Sequence, residues 1–262
     1  MTSKKSSPDY LPKEYLASTT DLYNDYQQRY AENPRESDKK LIALIGEAIA
    51  PRLQTGEKVS LLDIGCSTGN LLFHLKRALP ALELTGGDLA PGAIKQCWAD
   101  PRLTDIHFEV MDILDLPSSR FDIVVGNAVT YFFDPDQYEL AVSSIARALK
   151  QDGYFLSFEF LHPFLQNLHI VEKSRSHPDG LDIYFRPYSE VEPLLHRHGF
   201  GKVAFHPFSI PIDLEKGSTY TDNKTGFEDL NSYTVKAESG ERMLFRGTLF
   251  QPWCHLVAQK AV

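Results

Sequence analysis

Short apolar runs alternate along this chain with segments whose apolar residues recur at helical spacing. The runs occupy positions 59–62, 82–87, 106–110, 121–126, 154–159, 202–208 and 253–258. Runs of this length favour buried strands, whereas apolar residues three and four positions apart favour amphipathic helices. The alternation of the two predicts an α/β domain built on a mostly parallel sheet.

Proline, glycine and capping residues mark the predicted ends of the helices. A helix over about 37–50 should stop at Pro51, because proline lacks the N–H group that continues a helix. A later helix should run to about Lys150, and another should end at Gly199. Two pairs of residues have the spacing of a capping box at a helix start: Asp134 with Gln137, and Ser189 with Glu192.

The stretch 61–70, LLDIGCSTGN, reads as a strand, a tight turn and the start of a helix. Glycines in such a turn let a ligand approach the main chain, and the free N–H groups of the helix start favour negative charge. The stretch therefore predicts a ligand-binding turn. A dinucleotide motif, G-x-G-x-x-G, does not fit, because Ser67 and Asn70 stand where its second and third glycines belong.

The template that does fit is acidic-x-G-x-G-x-G, with Asp63, Gly65 and Gly69 in place and Ser67 at the middle glycine. In this motif the chain resembles the class I, Rossmann-like family of S-adenosylmethionine-dependent methyltransferases. The resemblance implies a methyltransferase that binds S-adenosylmethionine and releases S-adenosylhomocysteine. It also implies a three-layer fold whose seven-stranded, mostly parallel sheet has the order 3-2-1-4-5-7-6. To this plan the chain adds N-terminal helices and an extra β-hairpin insertion.

Acidic residues follow the next two predicted strands. Asp88 ends the second strand, where a carboxylate can accept both hydroxyl hydrogens of a ribose, and the resemblance implies the same role. The resemblance further implies that Asp112 receives the adenine amino group while Ile113 lies against the ring, with Asp115 in reserve. The full set of expected cofactor-binding residues is Asp63, Gly65, Cys66, Ser67, Gly69, Asp88, Leu89, Asp112, Ile113, Asn127, Tyr23 and Arg29.

Residues 1–58 are expected to form a mobile N-terminus and a helical cap. Tyr23, Tyr26 and Tyr30 share one face of a predicted helix, with Arg29 beside them. Aromatic packing is one interpretation of this face. The other is a lid over the cofactor, because many members of the resembled family close the site with an N-terminal helix that carries tyrosines.

The domain at 59–262 contains two segments beyond the minimal plan of the family, 161–188 and 211–250. The second should include a hairpin, with strands at 232–237 and 242–249. Loops in these places lie at or beside the carboxyl edge of the sheet, where open α/β sheets bind ligands. We expect both segments to recognise the acceptor. The sequence NAVT at 127–130 replaces the N/D-P-P-aromatic motif of adenine methylation and disfavours that substrate.

Methylation of a hydroxyl group requires a place for its proton, and histidine titrates nearest to neutral pH. His162 follows the fifth strand and is the candidate base. Tyr131 is an alternative that could orient the acceptor, and Glu159 is another that could hold the imidazole or bind an acceptor amine. A histidine bonded to the backbone, with no catalytic role, is the remaining interpretation. An amine acceptor that arrives neutral needs no base.

Charge and cysteine content narrow the class of protein. The formal net charge of −8 disfavours broad capture of nucleic acid, and the three cysteines contain no CxxC pair. Neither a secretion signal nor a run of about 18 apolar residues is present, so we expect a soluble cytoplasmic protein without membrane contact. The histidines lack metal-ligand spacing, and no metal is expected. A homodimer is compatible with the sequence.

These features together predict methyl transfer to an oxygen or nitrogen of a small-molecule acceptor, such as a saccharide or another biosynthetic intermediate. Two alternatives stay open. One is an RNA or protein methyltransferase of the same fold, which a basic surface would favour. The other is a cofactor-binding subunit without activity that supports a partner protein.

Overall fold

The apolar runs form the strands of one central sheet. In the computed structural model these are β1 (Val59–Ile64), β2 (Leu82–Asp88), β3 (His107–Val110), β4 (Phe121–Asn127), β5 (Leu149–His162), β6 (Leu168–Glu172), β7 (Leu181–Pro187), β8 (Phe200–Pro207) and β13 (Trp253–Lys260). The main path of the sheet is β3-β2-β1-β4-β5-β13-β8, and β13 pairs antiparallel with both its neighbours. The predicted order and the antiparallel seventh strand are therefore confirmed.

The structure describes residues 29–172, 180–209, 220–222, 227–229, 232–236, 242–246 and 252–261. The chain divides into two units, one comprising Met1–Phe208 with Pro252–Val262 and the other Ser209–Gln251. The second unit contains four described strands: β9 (Tyr220–Asp222), β10 (Phe227–Asp229), β11 (Ser232–Lys236) and β12 (Arg242–Arg246). β9 pairs antiparallel with β10, and β11 with β12, so the predicted hairpin is confirmed.

Helices cover both faces of the central sheet. They are α1 (Glu36–Gln54), α2 (Asn70–Ala78), α3 (Pro91–Ala99), α4 (Pro135–Ala148) and α5 (Tyr188–Arg197). Apolar side chains of α1, α2 and α3 pack on one face, against Leu61, Val125 and Leu156. Those of α4 and α5 pack on the other face, against Leu62, Val124 and Phe155. Because side chains alternate along a strand, odd-numbered residues of β1 and β4 face the α1 layer.

Two predicted helix boundaries were wrong. α1 continues through Pro51 to Gln54, so the proline lies in its last turn, where one lost N–H bond does not end the helix. α5 begins at Tyr188 and has no side-chain cap, so the capping box of Ser189 and Glu192 does not form. Ser189 already lies inside the helix, and a serine caps only from the position before it. The box of Asp134 and Gln137 at the start of α4 is confirmed.

The segment after β5 is a β-hairpin set beside the main sheet. β6 pairs antiparallel with β7, and the end of β7 pairs parallel with the end of β5. Residues Leu161 and His162 of β5 oppose Arg186 and Pro187 of β7. This pairing explains why β5 extends to His162, three residues past the predicted run. It also carries the 161–188 segment to the carboxyl edge of the sheet.

A buried carboxylate joins three elements at the amino edge of the sheet. Asp122 of β4 accepts hydrogen bonds from Arg52 at 2.6 Å, Lys150 at 2.8 Å and the Ser60 hydroxyl at 2.6 Å. Burial alone would raise the pKa of Asp122, but the hydrogen bonds from Lys150, Ser60 and Arg52 outweigh it and lower the pKa to about 2. These hydrogen bonds therefore hold α1, β1 and β5 to β4.

Replacing Asp122 by asparagine should destabilise the fold. The variant keeps the shape but leaves Arg52 and Lys150 without their carboxylate, at a cost of about 2–3 kcal/mol at pH 7. Because the folded pKa lies below the unfolded value of about 4, the wild-type advantage exists above pH 4 and is lost as the pH falls towards 2. Thermal unfolding between pH 2 and 7 measures both effects.

Asp105→Asn is the matched control for this experiment. Asp105 pairs with Lys76 at 2.8 Å but is 78% exposed, so its loss should change stability by less than about 0.5 kcal/mol. Equal melting temperatures for Asp122→Asn and Asp105→Asn at pH 7 would contradict the structural role given to Asp122.

Candidate functional site

The turn between β1 and α2 bends back over the end of β2. The N–H groups of Gly65 and Cys66 both donate to the carbonyl oxygen of Gly87, at 2.7 and 3.0 Å. Gly65 and Gly69 have φ angles of 77° and 74°, in the left-handed region that favours glycine. A Cβ atom at Gly65 would lie 2.6 Å from the Val129 side chain. Both glycines are therefore required by the shape of the turn.

Ser67, at the middle glycine position, also adopts a left-handed backbone conformation, with φ 49°. Its N–H donates to Oδ2 of Asp88 at 2.9 Å, and its carbonyl accepts from the Cys97 thiol at 3.1 Å. These contacts hold a conformation that is uncommon for a residue with a side chain. Cys66 is buried beside them. The pKa of its thiol is raised, chiefly by a hydrogen bond with Cys97 and next by burial.

Asp88 lies at the carboxyl end of β2, half-buried beneath the turn. Its two oxygens accept the N–H groups of Ser67 and Ala90, each at 2.9 Å. Burial raises the pKa of Asp88, and these backbone hydrogen bonds oppose that shift. Each carboxylate oxygen has two lone pairs, so both can still accept a hydroxyl hydrogen. The geometry suits the recognition of a diol such as a ribose, with the adjacent Leu89 half-buried at the same edge.

Three carboxyl groups gather where β1 and β2 end. Asp63 is 2% exposed, and its carboxyl group makes no hydrogen bond to a described residue. Burial, together with the charges of Asp38 and Asp88, raises the pKa of Asp63 to about 8, against the opposing effect of Arg35. Carboxylates this close to one another repel, and a cation bound among them would relieve that repulsion. The site therefore suits a ligand with a positive group.

Asp38 of α1 links this cluster to the end of β4. Arg35 donates to both its oxygens, at 2.9 and 3.1 Å, and the Asn127 amide nitrogen donates to it at 3.0 Å. The amide oxygen of Asn127 is buried and accepts no hydrogen bond from the described residues. A buried acceptor of this kind indicates a donor that the ligand would supply.

Arg35 and Asp38 were missed by the sequence prediction. Asp38 lies 89 positions before Asn127, so their contact depends on how α1 packs on the sheet. The acidic residue in the first turn of α1 was the available signal, but it is equally expected of any helix start.

The expected adenine side lies beyond β3. Asp112 follows the strand and accepts the N–H of Leu114 at 2.9 Å, which starts a short 3₁₀ turn. Ile113 is 5% exposed and belongs to the core on the α4 side of the sheet, whereas Asp115 is exposed. The turn brings Asp112 next to the end of β2, because the Met111 N–H donates to the Asp88 carbonyl at 3.0 Å.

The expected N-terminal lid falls partly outside the described residues, which begin at residue 29 and exclude Tyr23 and Tyr26. Arg29 is exposed, and Tyr30 is half-buried. The Tyr30 carbonyl lies 2.9 Å from Nε2 of His74 on α2, and the Arg35 guanidinium lies 5.8 Å from the Tyr30 ring. The chain therefore enters α1 beside the acidic cluster.

Residues 128–133, here called the post-β4 loop, form one wall of the site. Oε1 of Glu159 accepts the N–H groups of Val129 at 3.1 Å and Thr130 at 2.9 Å. Burial raises the pKa of Glu159 to about 7, against these backbone hydrogen bonds. On the other side, Arg186 donates to the carbonyls of Thr130 and Phe133. Glu159 and Arg186 thus hold the loop.

The three candidate catalytic residues occupy different surroundings. His162 is 0% exposed, and burial lowers its pKa from 6.5. Glu159 and His162 are three positions apart on β5 and so face opposite sides of the sheet. The Glu159 carboxylate contacts the post-β4 loop. Because Glu159 and His162 face opposite sides of the sheet, Glu159 does not fit the predicted role of holding the His162 imidazole. Tyr131, in the loop, remains half-buried.

Aromatic side chains surround Tyr131 at the end of β5 and β13. Its ring centroid lies 5.5 Å from Phe160 and 6.3 Å from Trp253, both edge-on. Trp253 in turn lies against Phe158, with ring centroids 4.5 Å apart and nearly parallel planes. Phe158 is opposite Asn127 in the sheet, so this aromatic wall adjoins the polar cluster. The arrangement can hold the body of an organic acceptor.

Two other features are absent from the described ranges, a metal-binding cluster and a membrane-spanning helix. No group of three or more His, Cys, Asp or Glu side chains there could hold a metal ion. No helix there is long and apolar enough to cross a membrane.

Comparison with known proteins agrees with this geometry. A family model described as a methyltransferase domain matches residues 61–153. The carboxy-S-adenosyl-L-methionine synthase of Sulfurimonas denitrificans is 30% identical over 199 residues, which cover 72% of this chain and 77% of that protein. The malonyl-[acyl-carrier protein] O-methyltransferase of Acetivibrio thermocellus is 26% identical over 136 residues. That match covers 52% of this chain and 47% of the relative, so this chain spans about half the length of that relative.

A solved structure shares the fold. It is that of a SAM-dependent methyltransferase from Methanosarcina mazei, with a TM-score of 0.52 and 17% identity, covering 81% of this chain and 98% of that one. The family assignment rests on the relative that is 30% identical over 72% of this chain, together with the methyltransferase-domain match. The chain belongs to the class I, Rossmann-like family of S-adenosylmethionine-dependent methyltransferases.

Proposed function

We propose that this protein transfers a methyl group from S-adenosylmethionine to an oxygen or nitrogen of a small-molecule acceptor. The observation that carries the proposal is the acidic cluster of Asp38, Asp63 and Asp88 at the carboxyl edge of the sheet. The raised pKa of Asp63 and the buried oxygen of Asn127 fit a ligand that brings positive charge and hydrogen-bond donors. The ammonium and ribose groups of the cofactor have both.

Bound S-adenosylmethionine supplies a methyl carbon on a sulfonium, which leaves as a neutral thioether when the acceptor lone pair attacks. The chain's own residues therefore need to bind, align and exclude water. Asp88 would hold the ribose, and Asp112 with Ile113 would hold the adenine. Asp63 and Asn127 would receive the ammonium group, with Arg35 beside them for the carboxylate.

The acceptor would lie against the post-β4 loop and the aromatic wall of Tyr131, Phe160 and Trp253. The half-buried rings of Tyr131 and Trp253 meet edge-on and offer an apolar surface close to the end of β4. An acceptor held there would lose a proton when its oxygen forms the new bond. Tyr131 is half-buried and could orient that oxygen, whereas His162 would need a local opening to reach it.

A second candidate function follows from the relative with 30% identity. Its name describes the synthesis of carboxy-S-adenosyl-L-methionine, in which the cofactor itself is modified. The match covers 77% of that protein, which favours considering the same chemistry here. An RNA acceptor has less support, because the net charge is −8. The name of the Acetivibrio thermocellus relative includes an acyl-carrier protein, which supports a protein-borne acceptor as a further candidate.

One experiment separates these functions. The full chain is incubated with a metabolite extract and S-adenosylmethionine labelled in its methyl group, and the products are identified by mass spectrometry. Methyl transfer yields S-adenosylhomocysteine and a labelled metabolite in equal amounts. A labelled carboxy derivative of the cofactor would establish the second candidate instead. Tight cofactor binding without any labelled product would support a non-catalytic subunit.

Replacing Asp88 by alanine should weaken cofactor binding most. The loss of charge-assisted hydrogen bonds to the ribose costs about 2–3 kcal/mol, or roughly 30- to 150-fold in affinity. Calorimetry with S-adenosylhomocysteine measures the change, and Asp105→Ala, at an acid that is 78% exposed, is the control. An unchanged affinity in Asp88→Ala would remove the ribose assignment.

Cofactor binding should release a proton from Asp63. At pH 7 a carboxyl group with a pKa of about 8 is mostly protonated, and a bound cation lowers that pKa so that the proton leaves. Calorimetry at pH 7 in buffers of different ionisation enthalpy should detect about one proton released by wild type. Asp63→Asn should release far less. Equal release by both proteins would show that another group titrates.

The same variant should stabilise the free protein. Because the folded pKa of Asp63 lies above the unfolded value of about 4, its contribution to stability is lost as the pH rises towards 8. At pH 8 Asp63→Asn should therefore melt several degrees above wild type, while binding cofactor more weakly. A lower melting temperature would show that the carboxylate is stabilised by a group outside the described residues.

The role of His162 as general base predicts a specific pH profile. Since burial lowers its pKa from 6.5, the rate with saturating cofactor should rise through an apparent pKa below 6.5 and stay flat to pH 9. His162→Gln should lose the rise and about 10²–10⁴ in rate. If His162→Gln keeps the wild-type rate and pH profile while Tyr131→Phe loses rate, the role of general base would pass to Tyr131.

A further inference from the structure

A cavity of about 580 Å³ lies on the face of the sheet opposite the acidic cluster. Its walls are the start of α4, the β6–β7 hairpin and α5, and the residues that matter below are Tyr138, Asn167, His169, Tyr184, Arg186 and Glu190. The size suits a small organic ligand. Asp63 and Asn127 face the α1 layer, whereas this cavity lies in the layer of α4 and α5. The post-β4 loop separates the two.

Arg186 is the buried cation of the cavity wall, and it is 7% exposed. It forms no ion pair with a carboxylate among the described residues. Its guanidinium donates to the Thr130 and Phe133 carbonyls and lies 4.1 Å from the Tyr138 ring. Carbonyl oxygens and a ring face satisfy only part of a buried cation that has five N–H donors. Burial accordingly lowers the pKa of Arg186.

Tyr138 adds a second polar group to the same wall. It is 3% exposed and lines the cavity. A tyrosine hydroxyl in such a wall can donate a hydrogen bond to a ligand. Burial raises the pKa of Tyr138 to about 12, which keeps this hydroxyl protonated as a donor.

The acids at the cavity have partners of their own. Both oxygens of Glu190 accept from the Asn167 amide at 2.5 Å. Glu139 at the rim lies 3.2 Å from His198 and 3.6 Å from Arg197. Arg186 is therefore the buried cation of the cavity that has no ion pair with a described carboxylate, although the charges of Glu159 and Asp134 favour its ionised form. The Tyr184 ring lies 5.5 Å from its guanidinium, and the His169 ring stacks on Tyr184 with centroids 4.4 Å apart.

We propose that this cavity is a second ligand site, which takes a small planar carboxylic acid independently of the cofactor. The carboxylate pairs with Arg186 and accepts the Tyr138 hydroxyl hydrogen, and the planar body lies along the wall of Tyr184 and His169. An arginine fork matches the two oxygens of a carboxylate. Because Arg186 also holds the post-β4 loop, an occupant of the cavity would contact the same side chain that positions the wall of the transfer site.

Acids and their neutral amides test the proposal directly. Benzoate with benzamide, and phenylacetate with phenylacetamide, are compared by saturation-transfer NMR on the full chain. Each acid should bind at least about tenfold more tightly than its amide, since the pair differ in charge at the atoms that meet Arg186. Saturating S-adenosylhomocysteine should leave acid binding unchanged.

Three variants complete the test. Arg186→Gln should abolish the preference for acid over amide. Tyr138→Phe removes only the hydroxyl, should keep the melting temperature, and should weaken acid binding several-fold. If Arg186→Gln fails to fold, the acid binding of Tyr138→Phe alone tests the proposal. Arg197→Gln, at a rim residue that is 60% exposed, is the matched control and should bind as wild type.

The proposal is overturned if no acid binds better than its amide, or if Tyr138→Phe binds acids as wild type does. Displacement of benzoate by S-adenosylhomocysteine would also overturn it, since the acid would then occupy the cofactor site. Cofactor affinity measured in the same samples keeps the proposed function separate. A protein that binds the cofactor but does not distinguish acids from amides retains the transfer function and loses this second site.

Discussion

The parallel pairing of β1 with β2 is the constraint on which the site depends. Its register sets Ile64 opposite Gly87, so the next two N–H groups of the turn both reach the Gly87 carbonyl. That bend directs the Ser67 N–H onto Asp88 and leaves Asp63 without a hydrogen bond to a described residue. The binding turn, the ribose acid and the unsatisfied acid are thus consequences of one strand pairing.

Most of this architecture could be predicted from the sequence, because it depends on local signals. Buried strands in a parallel sheet are continuous apolar runs, and the turn after β1 has a glycine pattern with few alternatives. The start of α5 could not be placed, since it depends on where β7 ends. β7 is stabilised by pairing with β6 and with the end of β5, and no short-range pattern indicated those partners.

Only part of the site could be predicted from the sequence. Acids at strand ends were found because parallel strands bring their ends together. Arg35 and Asp38 were missed, because Asp38 reaches the predicted Asn127 across 89 positions through helix packing. Glu159 shows an error that the sequence could have corrected. Alternation along β5 already placed it on the face opposite His162, and its contact is with the post-β4 loop.

The two edges of the sheet carry opposite kinds of electrostatics. At the amino edge Asp122 is surrounded by cations and hydrogen bonds, whereas at the carboxyl edge Asp63 is surrounded by other acids. Asp122 at the amino edge stabilises the fold. At the carboxyl edge, burial and neighbouring acids disfavour the ionised form of Asp63 until a cationic ligand binds. An engineer who wishes to alter the ligand therefore has unusual freedom. Replacing Asp63 relieves repulsion instead of removing support, so new specificities can be sought at that position without first finding compensating mutations elsewhere.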